Sequence, residues 1–345
     1  MVTDVAQSAT ATMVGPSPAP DRWRVWDSFL EATPDTGFMQ SSWWADFRAT
    51  TGWRHFGAVL KSRTAIVGGA LVMKFAYDDR RCFYYIPEGP ALPDDESSAS
   101  EVFASVLDAI EERRQTDEQI VSHLRIEPRW QRLPPFVRGF RTAPSFLEPR
   151  NTLCIDLRPP EAAILAQMKP KGRYNIGVAR RHGVSIVEDC SSQGVADFLE
   201  IYRAMKTRHG LRGKPDSYFW TLIPLLVSVD RGSVFFAEHE GTRLAAAVVV
   251  YFGGRATYFF GGSLVSERGV MAPYLLHFEI MRRAKALGHE WYDLWGVAPA
   301  DAPDHPWQQI SVFKRKFGGQ ALDLVPTLDY VYDPAAYADY VAGHR

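Results

Sequence analysis

Cysteine is scarce in this chain, and the patterns that it usually forms are missing. Among 345 residues only Cys82, Cys154 and Cys190 occur, far apart and without a CxxC pair. Such spacing favours neither a disulfide framework nor a zinc site. We therefore expect reduced cysteines, no metal and a cytoplasmic location.

Long apolar runs and an excess of one charge are lacking as well. No stretch reaches about 18 consecutive apolar residues, which excludes a spanning helix but not peripheral membrane contact. Lys and Arg number 39 and Asp and Glu 40, so any site for a polyanion is local. Residues 1–20 lack the basic start and apolar core of a secretory signal, and their composition predicts a disordered tail.

Several well-known catalytic motifs are absent. The sequence contains no GxGxxG after a strand, no GxxxxGK[ST], no GxSxG and no HExxH. Dinucleotide, P-loop, hydrolase-elbow and zincin chemistry therefore have no support from motifs.

What is present is an order of elements that occurs twice. In each half a predicted hairpin is followed by a strand, a helix and a further strand; YYIPEGP corresponds to YFFGGSL and HLRIEP to YDLWGV. We interpret this as an internal duplication of an α+β unit; the alternative is that this order is simply common. Residues 128–151 carry five prolines, which is typical of an interdomain connection.

The repeated order is that of an acetyltransferase fold of the acetyl-CoA type. There a glycine-rich turn before the helix would bind a pyrophosphate through backbone N–H groups. Here the turn is VSERGVMAPYLL, with one glycine and a proline where donors are needed. An intact coenzyme A site is therefore not expected.

Positive charge is concentrated in three acid-free runs of the second half, KPKGRYNIGVARRHGV, IYRAMKTRHGLRGKP and VFKRKFGG. In the first, Arg173, Ile176 and Arg180 share one side of a predicted helix, and such a stripe suits phosphate binding. The alternative is that these arginines form structural ion pairs. Three runs in one half favour a second domain that meets phosphates or RNA.

The segment RNTLCIDLRPPEAAILAQMKPKGRYNIGVARRHGVSI resembles the signature of the FemABX family of peptidoglycan bridge-forming aminoacyltransferases. The resemblance continues through FMQSSWWADF, YYIPEGPAL, MKTRHGL, LAAAVVVYFGGRATYFFGGS, WYDLWGV and FKRKFGG, and so covers roughly residues 38–330 in order. About 20 residues separate Val187 from Arg208, without heptads, so the chain is similar to the FemX-like members that lack a coiled-coil arm.

The resemblance implies two tandem acetyltransferase-like (GNAT-like) domains, at 21–150 with 322–345 and at 151–321. It implies transfer of an amino acid from aminoacyl-tRNA to the amine of a peptidoglycan precursor stem peptide, linked to UDP or to lipid, without a cofactor. A monomer is expected because the arm is missing. The amino acid, the acceptor residue and the type of precursor stay open.

The resemblance also implies roles for individual residues. Lys314 would stabilise charge at the tRNA 3′ end or on the tetrahedral intermediate, beside Phe313, and Arg208 and Arg48 would bind precursor phosphates. For Asp293 we weigh orientation of the amine against a carboxylate bonded to backbone at a strand end. Tyr218 and Tyr258 either hydrogen-bond the muropeptide or are core aromatics.

Two other functions remain open. One is an N-acyltransferase of the same fold that uses acyl-CoA or acts on an acceptor outside the cell wall. The other is a non-enzymatic scaffold that binds RNA or anionic lipid through the basic half.

Overall fold

The computed structural model describes residues 9–14, 20–63 and 65–343, with side chains from Trp23 onward. It divides into two compact units. The described residues up to Arg150 and those from Asp323 onward form the first, and Asn151–Leu322 form the second.

The elements follow one another along the chain in three groups. The first unit begins with β1 (Ala9–Val14), α1 (Pro20–Glu31), α2 (Ser42–Ala49), β2 (Arg54–Ser62), β3 (Ala65–Ala76), β4 (Arg81–Pro87), α3 (Glu96–Gln115), β5 (Ile120–Glu127) and β6 (Arg141–Thr142). The second contains β7 (Asn151–Asp156), α4 (Glu161–Gln167), α5 (Pro170–Arg181), β8 (Ser185–Glu188), α6 (Ser192–His209), α7 (Asp216–Ser228), β9 (Gly232–His239), β10 (Thr242–Phe252), β11 (Arg255–Ser263), α8 (Ala272–Ala286), β12 (Trp291–Gly296), α9 (Gln308–Lys314) and β13 (Gln320–Asp323, whose last residue already belongs to the first unit). The chain then returns to the first unit with β14 (Leu328–Val331) and α10 (Pro334–Gly343).

The two sheets have the same topology, which confirms the duplicated α+β fold. Strand order is β1-β2-β3-β4-β5-β14-β6 in the first unit and β8-β9-β10-β11-β12-β7-β13 in the second. Each sheet contains a parallel pair, β4 with β5 and β11 with β12, and a long helix, α3 or α8, connects the two strands of that pair. The position after the parallel pair is taken by β7 in the second unit and by the distant β14 in the first.

The amino-terminal segment differs from the expected disordered tail. Ala9–Val14 pairs antiparallel with β2, from Ala9 opposite Ser62 to Val14 opposite Gly57. An edge strand presents unpaired N–H and C=O groups, so a short Ala- and Thr-rich stretch gains hydrogen bonds there without a strong hydrophobic pattern. Residues 1–8 and 15–19 lie outside the described residues.

The proline-rich segment after β5 packs on the first unit instead of running freely between domains. Trp130 and Val137 are buried in its hydrophobic core, and Val325 N donates a hydrogen bond to Trp130 O. Prolines interrupt the hydrophobic periodicity of a sequence without preventing burial of its side chains. For this reason the sequence pattern indicated a linker, although the segment packs on the first unit.

A buried ion pair fastens the returning segment to the first unit. Arg125 on β5 donates from Nε and Nη2 to the two carboxylate oxygens of Asp329 on β14, both at 2.8 Å, and both side chains are fully buried. Tyr337 Oη on α10 donates to the same carboxylate at 2.9 Å. The charges are therefore well satisfied, and removing one partner would leave an uncompensated buried charge.

The second unit carries helices on both faces of its sheet. On one face α8 packs over β10 and α5 packs on α8, and both helices share a core with Ala245, Ala247 and Val249 of β10. On the other, α6 and α7 pack over Phe260 of β11, whose ring lies 5.0 Å from that of Phe219. The basic helix α5 and the helix α7 therefore lie on opposite faces of this unit.

Candidate functional site

The parallel strand pair stays joined to its end in the first unit and opens in the second. Pairing of β4 with β5 extends to Pro87 opposite Glu127. Pairing of β11 with β12 ends at Thr257 opposite Asp293, although β11 continues to Ser263 and β12 to Gly296. The strands separate beyond this point, and the next side chains along them border the opening.

Asp293 is held rigidly where the two strands separate. Its side chain is fully buried, and Oδ1 accepts hydrogen bonds from Thr152 Oγ1 and, at 2.8 Å, from the backbone N–H of Trp295. Trp295 has a φ of 59°, a left-handed conformation that turns the chain at the end of β12. These contacts match the alternative of a strand-end carboxylate bonded to backbone, and they also fix a negative charge in the buried interior.

Lys314 ends α9 with its side chain only 6% exposed. Its Nζ donates to the backbone carbonyl of Gly296 at 2.7 Å and lies 5.5 Å from the centroid of the Tyr258 ring. Burial lowers the pKa of Lys314 to about 7, and the negative charge of Asp293 partly opposes this shift. One hydrogen bond leaves N–H capacity on the ammonium for a substrate oxygen.

Aromatic rings enclose this lysine. Phe313 packs against Tyr274, His277 and Phe317, with ring centroids between 5.1 and 5.5 Å. Burial, assisted by the charge of Lys314, lowers the pKa of His277 to about 3, so this imidazole is neutral at pH 7. Neutral aromatic surroundings keep water away and strengthen electrostatic effects at Lys314.

The position of Tyr258 suits both functions considered for it. The ring packs edge-on against His277, with a centroid distance of 4.5 Å, and joins the core beneath α8. Burial raises the pKa of its hydroxyl, so it stays protonated at neutral pH. It is therefore a core aromatic that also faces Lys314.

The segment that carries Lys314 is fastened to its surroundings on both sides. Ser311 Oγ accepts from the N–H of Ala298 and donates to the carbonyl of Trp307, both at 2.7 Å, and Arg315 Nη2 donates to the carbonyl of Ala298. Lys316 Nζ donates to Tyr274 Oη at 3.0 Å. These contacts hold the lysine at a defined place.

A second cluster of cationic groups lies at the end of α6. Arg208 donates from Nη1 to the carbonyl of Ser263 at 2.7 Å. Burial and the neighbouring charge of Arg268 lower the pKa of Arg208, and burial with the charges of both arginines lowers that of His209. Like charges held together favour an anion as ligand. Arg268 is not among the residues predicted from the sequence; the only signal for it was its place in the VSERGVM turn.

The remaining predicted residues are not brought to Lys314 by a described contact. Arg180 pairs with Glu279 at 3.0 Å, which matches the alternative of a structural ion pair, whereas Arg173 Nη1 donates to the backbone carbonyls of Ala166 and Met168. Tyr218 is buried against Phe219 and Phe260. Arg48 lies in the first unit, stacked on Trp53 at 4.6 Å.

The turn before α8 uses its own backbone N–H groups in local hydrogen bonds. Within it, Val270 N donates to Glu267 O and Met271 N to Arg268 O, and Pro273 has no N–H. Two backbone N–H groups of this turn are thus already hydrogen-bonded, and Pro273 supplies none.

Over residues 9–14, 20–63 and 65–343, no group of three or more His, Cys, Asp or Glu side chains is arranged to hold a metal ion. None of the helices described combines the length and the apolar character needed to cross a bilayer.

Comparison with known protein sequences gives related enzymes. A UDP-N-acetylmuramoylpentapeptide-lysine N(6)-alanyltransferase of Weissella viridescens is 28% identical over 198 residues, which cover 56% of this chain and 57% of that protein, less than two thirds of its length. A lipid II:glycine glycyltransferase of Staphylococcus epidermidis is 19% identical over 387 aligned positions, 90% of this chain and 92% of that protein.

Solved structures share the fold. The crystal structure of FemX superposes with a TM-score of 0.84 at 15% identity, over 96% of this chain and all of that one. A tandem GNAT protein from the clavulanic acid biosynthesis pathway has a TM-score of 0.50 at 14% identity, over 93% and 97% of the two chains. Both confirm the tandem GNAT-like α+β fold. The sequence model of the FemAB family matches residues 138–225 and 233–344, more than half of the chain, and the protein therefore belongs to the FemAB family.

Proposed function

We propose that this protein is an aminoacyltransferase that moves an amino acid from aminoacyl-tRNA to the amine of a peptidoglycan precursor stem peptide. Family membership and the names of the two related enzymes support the reaction class. The observation that carries the proposal is Lys314, a buried lysine whose Nζ bonds to Gly296 O at the end of β12 and lies 5.5 Å from the Tyr258 ring of β11.

The reaction needs little covalent help from the protein. The acceptor amine attacks the ester carbonyl, an oxyanion forms, the C–O bond to the terminal ribose breaks, and the amine proton is balanced by protonation of the released hydroxyl. Lys314, with N–H groups beyond the one bonded to Gly296 O, would donate to the oxyanion. Phe313 and Tyr258 would shape the space above it and exclude water.

Asp293 would act through Lys314. Its carboxylate is held by Thr152 and by the Trp295 backbone, and its charge favours the ammonium form of Lys314 against the effect of burial. We therefore assign to Asp293 the positioning and charging of this lysine.

Arg208, with Arg268 and His209, would bind the diphosphate of the precursor. Guanidinium groups bind phosphate oxygens through paired N–H donors, and the diphosphate would offset the repulsion between the two arginines. Arg48, on the first unit, stays a proposed contact for the same precursor.

The test is transfer of radiolabelled amino acids from a mixed aminoacyl-tRNA pool. UDP-MurNAc-pentapeptide, its lipid-linked form and a reaction without acceptor are run in parallel. Label on a muropeptide supports the proposal and names the amino acid and the precursor. Folded protein that labels neither acceptor contradicts it, and saturable binding of acetyl-CoA would instead favour an acyl-CoA-dependent enzyme.

A further inference from the structure

From Ser217 onward the outward face of α7 has no charged residue. Trp220 is 44% exposed and Val227 48%, and every exposed residue at this helical spacing is uncharged: Ser217, Trp220, Thr221, Pro224, Val227 and Ser228. The other side of the helix is the buried core side, with Phe219, Leu222 and Leu226. A helix on a protein surface normally places charged residues outward, so this face is unusual.

Cationic groups border one end of this face. Arg212 and Lys214 precede α7, and in the described chain neither is paired with an acidic side chain. The acidic residue of the first helical turn, Asp216, is bound by Arg203, with Nε to Oδ2 at 3.1 Å. The border is therefore positively charged, and together with the exposed residues of α7 it forms what we call the α7 surface.

We propose that the α7 surface docks on an anionic lipid membrane. A tryptophan at the centre of an uncharged helical face suits the boundary between headgroups and acyl chains, and basic side chains at its border suit anionic headgroups. An RNA ligand fits less well because its phosphates need cations across the face, whereas the exposed residues of α7 from Ser217 onward are uncharged.

The position of α7 relates this surface to the candidate site. On the buried side of the helix, Tyr218 contacts Phe260 of β11 with ring centroids 5.7 Å apart, and Phe260 lies two residues after Tyr258. Tyr258 itself packs on His277 of α8, so β11 lies between Lys314 and the docking face. Access to a lipid-linked precursor from this side rests on the proposed function, whereas docking itself does not.

The experiment is co-sedimentation of the full chain with vesicles that contain no precursor. Phosphatidylcholine vesicles are compared with vesicles that also contain about 30% phosphatidylglycerol, at low and at high salt. The variants are Trp220→Ser with Val227→Ser on the face, and Arg212→Ala with Lys214→Ala at the border. Matched controls are Leu287→Ser, an apolar residue with 48% exposure at the end of α8, and Lys171→Ala with Arg181→Ala on α5, across the sheet.

We expect wild-type protein to bind the anionic vesicles and to dissociate at high salt. The double substitution at the border should weaken binding about 25-fold, since each basic residue near an anionic surface contributes about fivefold. The substitutions on the face should weaken binding about tenfold, and both controls should bind as wild type does. Thermal unfolding verifies that each variant is folded.

Four results would overturn the proposal. Two concern the vesicles: wild-type protein does not bind them, or the control variants lose as much vesicle binding as the face and border variants. The other two are that the border variant loses tRNA binding but keeps vesicle binding, and that the wild type is a dimer that Trp220→Ser converts to a monomer. The last would assign the face to a second copy of the chain. Trp220→Ser should transfer label to UDP-MurNAc-pentapeptide at the wild-type rate. Vesicle binding without any transfer would refute the proposed function and leave docking intact.

Discussion

Gly172 and Lys316 lie so close that the glycine has no room for a side chain. A Cβ on Gly172 would lie 2.5 Å from the carbonyl oxygen of Lys316, and the same oxygen accepts a hydrogen bond from Lys169 N at 3.0 Å. The start of α5 is therefore packed directly on the backbone that follows Lys314. The basic helix positions the proposed catalytic lysine through main-chain contact, although its own arginines bond elsewhere.

We expect Gly172→Ala to lower kcat/KM for transfer roughly 10- to 100-fold, because the added methyl group pushes the Lys314 segment out of place. Thermal unfolding should show a folded but less stable protein. Gly177→Ala on the same helix is the matched control, since its Cβ would meet only the flexible end of Arg181 at 3.4 Å. That variant should keep wild-type kcat/KM and gain up to about 1 kcal/mol from helix propensity. Equal kinetics for the two variants would contradict the positioning role.

Lys314→Met should lower kcat/KM roughly 100- to 1000-fold and yet stabilise the fold. The folded pKa of about 7 lies below the unfolded value of about 10.4, so between these pH values the unfolded chain binds the extra proton. The free energy of unfolding of the wild type should therefore rise from pH 7 to pH 10 relative to that of the variant. Chemical denaturation at a series of pH values measures it.

Lys285→Met is the control for that substitution. Lys285 Nζ donates to the carbonyls of Leu157, Arg158 and Pro159, so its loss should destabilise the second unit and leave kcat/KM close to wild type. If both lysine variants lost stability alike, burial would not be the dominant effect on Lys314.

The pH dependence of kcat/KM distinguishes an ammonium from a neutral amine at Lys314. The acceptor amine becomes neutral with a pKa of about 10, so its reactive fraction rises tenfold per pH unit below that value. If protonated Lys314 is required, log kcat/KM should rise with slope 1 up to about pH 7 and then level off. A slope of 1 that continues through pH 8.5 would show that Lys314 does not titrate in the reaction, and a slope of 2 below pH 7 would indicate a lysine acting as base.

Arg208→Ala and Arg268→Ala should each raise the Kd for UDP-MurNAc-pentapeptide about tenfold, as expected for lost charge-assisted hydrogen bonds to phosphate. Arg203→Ala on α6, the helix that carries Arg208, should change the Kd less than about twofold, because Arg203 forms a surface ion pair with Asp216. Isothermal titration measures these constants. If neither Arg208→Ala nor Arg268→Ala changed the affinity, the diphosphate would not bind at this cluster.

The same cluster predicts proton uptake on binding. Burial and the two arginines lower the pKa of His209, so this imidazole is neutral in the free protein at pH 7. A bound diphosphate would favour the imidazolium, and the wild-type Kd should fall as the pH decreases from 7 to 6. His209→Gln should abolish this pH dependence of the Kd. Isothermal titrations in buffers of different ionisation enthalpy measure the protons taken up on binding, and this uptake should be lost in the variant.

The sequence by itself determined the repeated strand and helix order, the concentration of basic residues in one half and the resemblance that singles out Phe313 and Lys314. These features come from local patterns, because alternation, helical spacing, turn residues and runs of charge are properties of neighbouring residues.

Tertiary structure alone decided what each charged residue meets. Arg180 pairs with Glu279, which lies 99 positions away in the sequence, and Arg125 pairs with Asp329, which lies 204 positions away. The turn after β11 places Arg268 near Arg208. The separation of β11 from β12 after Thr257 and Asp293, and the burial that lowers the pKa of Lys314, likewise depend on segments far apart in the chain. Pairing and burial arise from non-local packing, and for that reason the site became visible only in the folded chain.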